Sequence, residues 1–329
     1  MKRFLKNSVL FSLGLSLLFL LFFSLSNSYI SNGNYFSIPK DVNSIMLGHS
    51  HSACAFNDSL IDGFYNLSQN TEGYPYSYFK LRKILESNDH IKNVFIEFTN
   101  NQITTWAKNR VSGLYLDVNM PRSFPVIDAS FVLSTFVESK NPKRILNSMI
   151  QGNFNNADFL LSAEDNYIQY VWKTHKTPTR EYKAAMIDST VQIPGPKTEG
   201  RQEERRPSET NLEYLLKLIQ LCEAQGVHLY FIRSPMPAST KIANEKEFQR
   251  VLRAKNFKDI PFLDFKKYPL PNHMFADKQH LNKTGQDLFS VFFYDLMSTN
   301  ILEQNDVQRV INIEMERQKK GNSARNPLN

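Results

Sequence analysis

Two short stretches at opposite ends of the chain carry residues that could do chemistry together. Near the carboxyl end runs Phe275-Ala276-Asp277-Lys278-Gln279-His280-Leu281-Asn282. An aspartate set back from a histidine by one helical turn lets both side chains point the same way. In such a pair the carboxylate holds the imidazole in one tautomer and stabilises its charged form, so the imidazole acts as a general base. A base of this kind needs a nucleophile. Near the amino end, the apolar run Ser44-Ile45-Met46-Leu47 leads into Gly48-His49-Ser50-His51-Ser52. A strand that ends in a tight Gly-x-Ser turn exposes its serine at the carboxyl edge of a sheet. Ser50 is the expected nucleophile, His280 its base and Asp277 the orienting acid, with Ser52 as the fallback hydroxyl. The chemistry this implies is acyl transfer through a serine ester. His49 and His51 flank Ser50 and raise the question of a metal, but the sequence shows no third ligand near them, and no metal or other cofactor is expected.

These groups must be positioned by the elements between them. Val42 to Leu47, Phe64 to Leu67, Asn93 to Phe98, Val227 to Ile232 and Pro261 to Phe265 read as strands. Helical spacing recurs over Ser52 to Ile61, Tyr74 to Leu85, Asn211 to Gln225, Ala243 to Lys255 and the apolar run from Leu288 to Leu296. Gly226 supplies the stop after the third of these. Strand–helix alternation of this kind predicts an α/β fold: three layers, α/β/α, with a mainly parallel sheet covered on both faces. Residues 102–210 fit the alternation poorly and are expected to be an insertion or lid. It contains a polar, proline-bearing stretch from Ile193 to Ser208 that is too poor in apolar residues to pack. Trp106, Tyr115, Tyr170 and Trp172 in this region suit either a glycan-facing surface or burial.

The amino terminus sets the location. Lys2, Arg3 and Lys6 precede an uncharged apolar run from Val9 to Phe23. With its flanking residues the run is about long enough to span a bilayer, and the basic flank predicts the amino end inside and the body outside. Ser24-Leu25-Ser26 would pass as a signal-peptidase site, but the apolar run is longer than signal peptides carry, so a retained anchor is expected. The expected layout is a basic flank (1–7), an anchor (8–26), a spacer (27–41), a catalytic body (42–300, containing the 102–210 insertion) and a terminal helix with a polar tail (301–329). The formal charge of +7 is mild and dispersed, which argues against nucleic acid as a partner. Two cysteines, Cys54 and Cys222, make no disulfide framework, and Cys222 reads as a buried thiol.

Leu47-Gly48-His49-Ser50, taken with Asp277-x-x-His280-Leu281-Asn282, resembles the SGNH (GDSL-like) hydrolase superfamily, and in particular its membrane-anchored bacterial branch of DltD-like and alginate O-acetylation-type proteins. The resemblance spans roughly residues 42–298 and is weakest in the middle. It implies a flavodoxin-like sheet and an oxyanion hole built from the backbone N–H of Ser50, the N–H of Gly73 and the side chain of Asn100. It further implies an extracytoplasmic esterase or O-acyltransferase acting on a cell-envelope or exopolysaccharide glycan, or on an acylated small molecule, with a membrane-bound O-acyltransferase as a partner. The sequence departs from the family where His49 stands in place of the usual Asp or Ser before the nucleophile. That departure keeps a second expectation open: a catalytically inactive accessory protein that binds glycan or the acyltransferase.

Overall fold

The computed structural model describes residues 1–325 apart from 140, 174–205, 241, 243 and 305. At its centre is a five-stranded sheet in which β1 (Ser44–Leu47), β2 (Phe64–Asn66), β3 (Asn93–Glu97), β4 (His228–Arg233) and β5 (Phe262–Asp264) lie in the order β2-β1-β3-β4-β5. Every neighbouring pair is parallel. All strands therefore end at the same edge. The order reverses between β1 and β3, and the crevice outside that point is where ligands bind in open α/β sheets.

The strands are apolar on both sides because both sides are covered. Ile45, Leu47, Val94, Ile96, Leu229 and Phe231 point into one core, and Met46, Phe95, Tyr230, Ile232 and Leu263 into another. Successive side chains of a strand face opposite ways, so each strand contributes to both layers. The first core is closed by α3 (Tyr74–Ser87) and α9 (Glu209–Gln225), which pack on each other. Ser208 caps the start of α9, its side chain accepting from Asn211 N–H, and Gly226 ends it in the left-handed region at φ +65°. The Cys222 thiol is buried in this layer and burial pushes it up to about 12.

The second core is closed by α2 (Ser50–Ala55), α11 (Lys283–Met297) and α12 (Val307–Arg325). It absorbs much of the phenylalanine: the Phe293 ring lies 5.0 Å from Phe56, 5.6 Å from Phe64 and 5.8 Å from Phe95. One local expectation changes here. The helix after the serine turn begins at Ser50 itself and ends at Ala55 rather than running from Ser52 to Ile61; a single 3-10 turn over Asp58–Leu60 follows.

The stretch after β3 contributes α4 (Asn100–Ile103), which begins two residues before the expected insertion, then α5 (Lys108–Val111), α6 (Leu116–Ser123), α7 (Ala129–Glu138) and α8 (Pro142–Leu161). These pack onto the first core through Ile103, Leu116, Met120, Phe131, Ile145 and Phe159. Trp172 is buried there too, its indole N–H donating to Arg122 O at 3.0 Å. The proline-bearing stretch from residue 193 lies, up to 205, outside the described residues, as does any lid it would form.

The amino-terminal α1 (Lys2–Asn32) is one 31-residue helix, long and apolar enough to cross a membrane. It runs past the expected anchor boundary because its last turns have tertiary partners: Ile30 is buried and Asn156 Nδ2 donates to Asn27 Oδ1 at 3.0 Å. The residues left between α1 and β1 form a shorter link than 27–41.

Replacing Phe293 by Ala is expected to cost about 3–5 kcal/mol of unfolding free energy, read by urea denaturation, because a ring is removed from a closed aromatic cluster. Leu288→Ala, on the exposed side of the same helix, is expected to cost less than about 0.5 kcal/mol.

Candidate active site

The first positioning element is the turn between β1 and α2. Leu47 pairs with Ile96, so Gly48 lies beside Glu97, the last residue of β3. The Glu97 side chain crosses over the turn. A Cβ on residue 48 would sit 2.5 Å from Glu97 Cβ and 2.4 Å from Ser52 Oγ, so only glycine fits without displacement. Glu97 Oε2 accepts from His49 N–H (2.9 Å), Ser52 N–H (3.1 Å) and Ser52 Oγ–H (2.5 Å). Three donors from one turn converge on one buried oxygen, and the turn is fixed by them. Ser52 is thereby committed to Glu97 and its hydroxyl is not presented as a nucleophile.

His49 is the N-cap of α2 and its Nδ1 accepts from His51 N–H at 3.3 Å. That bond leaves the proton of the neutral ring on Nε2. His49 Nε2 then donates toward Asn101 Oδ1 (2.9 Å) and Thr99 Oγ1 (3.1 Å), with Glu97 Oε1 at 2.8 Å. The residue before Ser50 is therefore an imidazole that stitches β1 to the end of β3.

The second positioning element is the loop before α11. It is a loop, as expected, and Asp277 and His280 share no helical turn in it. Phe275 and Leu281 form an antiparallel bridge, Ala276 N–H donates to His280 O at 2.8 Å, and the acid and base sit at the tip of this small hairpin. A carboxylate there accepts from two backbone donors, Gln279 N–H (2.8 Å) and His280 N–H (3.0 Å), both on Asp277 Oδ1. Asn282 closes the loop: its Oδ1 caps α11 by accepting from Gly285 N–H at 3.0 Å, and its Nδ2 donates to His273 O at 2.7 Å. Thr240 braces the hairpin from the β4 side by donating to Lys278 O at 2.8 Å.

The two elements meet. Ser50 Oγ lies 2.8 Å from His280 Nε2, and His280 Nδ1 lies 2.9 Å from both Asp277 carboxylate oxygens. Ser50 is partly exposed, so the hydroxyl is reachable. As the first residue of α2 its N–H has no acceptor within the helix.

Of the two other expected oxyanion groups, the Asn100 side chain is engaged elsewhere. Gly73 caps α3, and a Cβ there would face Arg110, Val111 and Asn211. Asn100 donates from Nδ2 to Glu245 Oε2 at 3.3 Å, and Glu245 belongs to an ion-pair group with Arg233. The amide at the nucleophile's turn is its neighbour Asn101. Its Oδ1 is taken by His49 Nε2 and by Thr99 Oγ1 (2.7 Å), which leaves Nδ2 as a donor. The one-residue shift arises because Thr99 caps α4, and the helix start turns the two adjacent amides to different sides.

Glu97 was not singled out by sequence, where it reads only as a strand residue. A carboxylate in an otherwise apolar strand, two positions before Thr99, was the available signal. It also supplies the third ligand that the two histidines lacked: His49, His51 and Glu97 bring ligand atoms within 4.8 Å of one another. The Arg110 guanidinium beside Glu97 opposes a dication there, since both groups share the carboxylate's field. Burial alone would raise Glu97, but the adjacent His49 and the donors on Oε2 hold it below the usual carboxylate range. Burial lowers His49. It pushes His51 down to about 3, helped by the neighbouring His49 and His280 and resisted by Glu97.

Comparison with other proteins adds little to this geometry. The profile of one uncharacterised family matches residues 191–302, about a third of the chain, which includes the Asp277–His280 hairpin but not Ser50. No curated protein matches the chain.

The buried histidine predicts acid sensitivity. A folded-state value near 3 against about 6.5 in the unfolded chain means the unfolded state binds the extra proton between those limits. Stability is full above pH ~6.5 and is lost as pH falls toward 3, at up to about 1.4 kcal/mol per pH unit from this group. Unfolding free energy measured in urea from pH 7.5 to 4.5 is expected to fall along this slope, and less steeply in His51→Gln.

Proposed function

We propose that this chain is a membrane-tethered serine esterase or O-acyltransferase of the SGNH type, its body outside the cytoplasm, acting on an acylated envelope or exopolysaccharide glycan. The observation that carries the proposal is the hydrogen-bonded series Ser50–His280–Asp277, closed between segments 230 residues apart.

In the first half-reaction Ser50 Oγ attacks an ester carbonyl as its proton passes to His280 Nε2. Asp277 holds Nδ1–H and stabilises the imidazolium. The Ser50 N–H and Asn101 Nδ2 are the donors available to the oxyanion, each such group typically contributing about 3 kcal/mol in the transition state. The alcohol leaves with the proton from His280. In the second half-reaction water or a sugar hydroxyl gives its proton to His280 and attacks the acyl-serine, and the acyl–Ser50 bond breaks as His280 returns that proton to Ser50 Oγ; water gives hydrolysis and the sugar O-acyl transfer. The His49 ring, neutral and bonded to Asn101, orients the amide donor, so the histidine that replaces the family's acid or hydroxyl is compatible with catalysis. The apolar α1 with its basic flank supports the tethered, outward-facing placement, and an acyl donor arriving through the membrane would be handed over by a membrane-bound O-acyltransferase.

Labelling by a fluorophosphonate probe tests this reading. The wild-type chain is expected to label, and Ser50→Ala and His280→Ala to lose labelling entirely. Hydrolysis of an aryl acetate is expected to fall roughly 10³-fold or more in Asp277→Asn and about 10²–10³-fold in kcat for Asn101→Ala, with Asn100→Ala close to wild type. A folded wild-type chain that neither labels nor turns over an aryl ester would support the accessory-protein reading instead.

A further inference from the structure

The helical lobe formed by α7 and α8 presents an apolar face that the described chain leaves largely exposed, with α1 meeting only one end of it. Leu133, Phe136 and Val137 on α7 and Leu146, Ile150 and Phe154 on α8 are all exposed. On α8 the three are four residues apart, so at about 100° per residue they form one stripe. The opposite side of α8 is the buried one, carrying Ile145, Ser148, Gly152, Asn156 and Phe159. Charge is excluded from this surface: none occurs from Ala129 to Val137, nor from Ile145 to Ala157. The first turn of α8 carries an exposed Lys143. An exposed apolar surface of this kind marks an interaction site.

The position of α1 identifies what it meets. Phe23, the last residue of the apolar run of α1, has its ring 6.1 Å from that of Phe154, and Asn27 bonds Asn156 one turn further on. A groove of about 390 Å³ lined by Phe124, Ile127, Val132, Phe136 and Met149 opens beside Asn27. Phe154, at the carboxyl end of the stripe, therefore lies level with the end of the apolar run of α1, at the depth where hydrocarbon would give way to headgroups. We infer that α7 and α8 form an interfacial foot: their exposed apolar face is immersed in the outer edge of the lipid bilayer beside α1, and fixes the catalytic body at a set height and tilt on the membrane. A helix with one apolar face, no charge on it and a basic residue at its end has the composition of a helix lying in the interface plane. The inference rests on α1 crossing the membrane, and it commits to lipid as the occupant.

The experiment uses the full-length chain in phosphatidylcholine–phosphatidylglycerol vesicles, carrying a single environment-sensitive fluorophore. It is attached at Ile150→Cys, Phe154→Cys or Val137→Cys, at Leu15→Cys in α1, or at Glu316→Cys on α12, across the sheet. Vesicles containing lipids spin-labelled near the headgroup or deep in the chain act as quenchers. The foot predicts that the labels at 137, 150 and 154 shift to the blue and are quenched several-fold more than the label at 316, most strongly by the shallow spin label, with residue 15 quenched most strongly by the deep one. If residue 15 is quenched but 137, 150 and 154 behave like 316, the anchor holds and the foot is overturned; a partner protein or second copy would then be the occupant. If residue 15 also escapes quenching, the membrane reading of α1 fails with it.

Discussion

The buried carboxylate of Glu97 constrains the site more than any other group. Its Oε2 gathers His49 N–H, Ser52 N–H and Ser52 Oγ, so the backbone on both sides of Ser50 is tied to the end of β3. Hydrogen bonds to an ionised acceptor are stronger than neutral ones, and losing one partner would leave a buried charge without compensation. The same carboxylate sets the residue at 48, because its side chain occupies the space a Cβ would need. Even its backbone carbonyl is used, accepting from Tyr74 O–H at 2.9 Å and so anchoring the start of α3.

Around this fixed turn the rest of the molecule works as a frame. The parallel sheet brings every strand's carboxyl end to one edge, and the acid–base hairpin is delivered there by the chain leaving β5. A second buried polar group stiffens the loop after β2: the Lys80 ammonium, fully buried, donates to Glu72, Leu67 O (3.0 Å) and Gln69 Oε1 (3.3 Å). Gln69 N–H in turn donates to Gly48 O at 3.0 Å, which joins that loop to the nucleophile's turn. Arg233, at the end of β4, bridges Asp264 and Glu245 and fastens the other side of the edge. Held in this way, the Ser50 hydroxyl and the His280 imidazole are within hydrogen-bond distance in the folded chain.

Histidine at position 49 suits a turn built on a buried carboxylate. An acid there would sit against Glu97, and two buried carboxylates so close could not both ionise. A neutral imidazole accepts a backbone N–H on one nitrogen and donates to Asn101 and Thr99 with the other. The residue is therefore matched to the glutamate across the turn, and Asn101 is oriented as a consequence.

The strands, their parallel pairing and the three layers were legible from the sequence because period-2 and helical apolar patterns report burial directly. The meeting of Ser50, His280 and Asp277 was legible because a Gly-x-Ser turn after one strand and an Asp-x-x-His loop after another come to the same edge of a parallel sheet. The amino acid order by itself also determined the apolar span of α1. It pointed to Asn100 where the structure turns Asn101 toward His49, and it gave neither the hairpin within the loop that holds Asp277 with His280 nor the part played by Glu97. Each of these depends on which side of a strand end or helix start a side chain leaves from, and on what packs opposite. A polar group's partner is chosen by through-space proximity, and only the folded chain brings residues 48 and 97, or 50 and 280, next to each other.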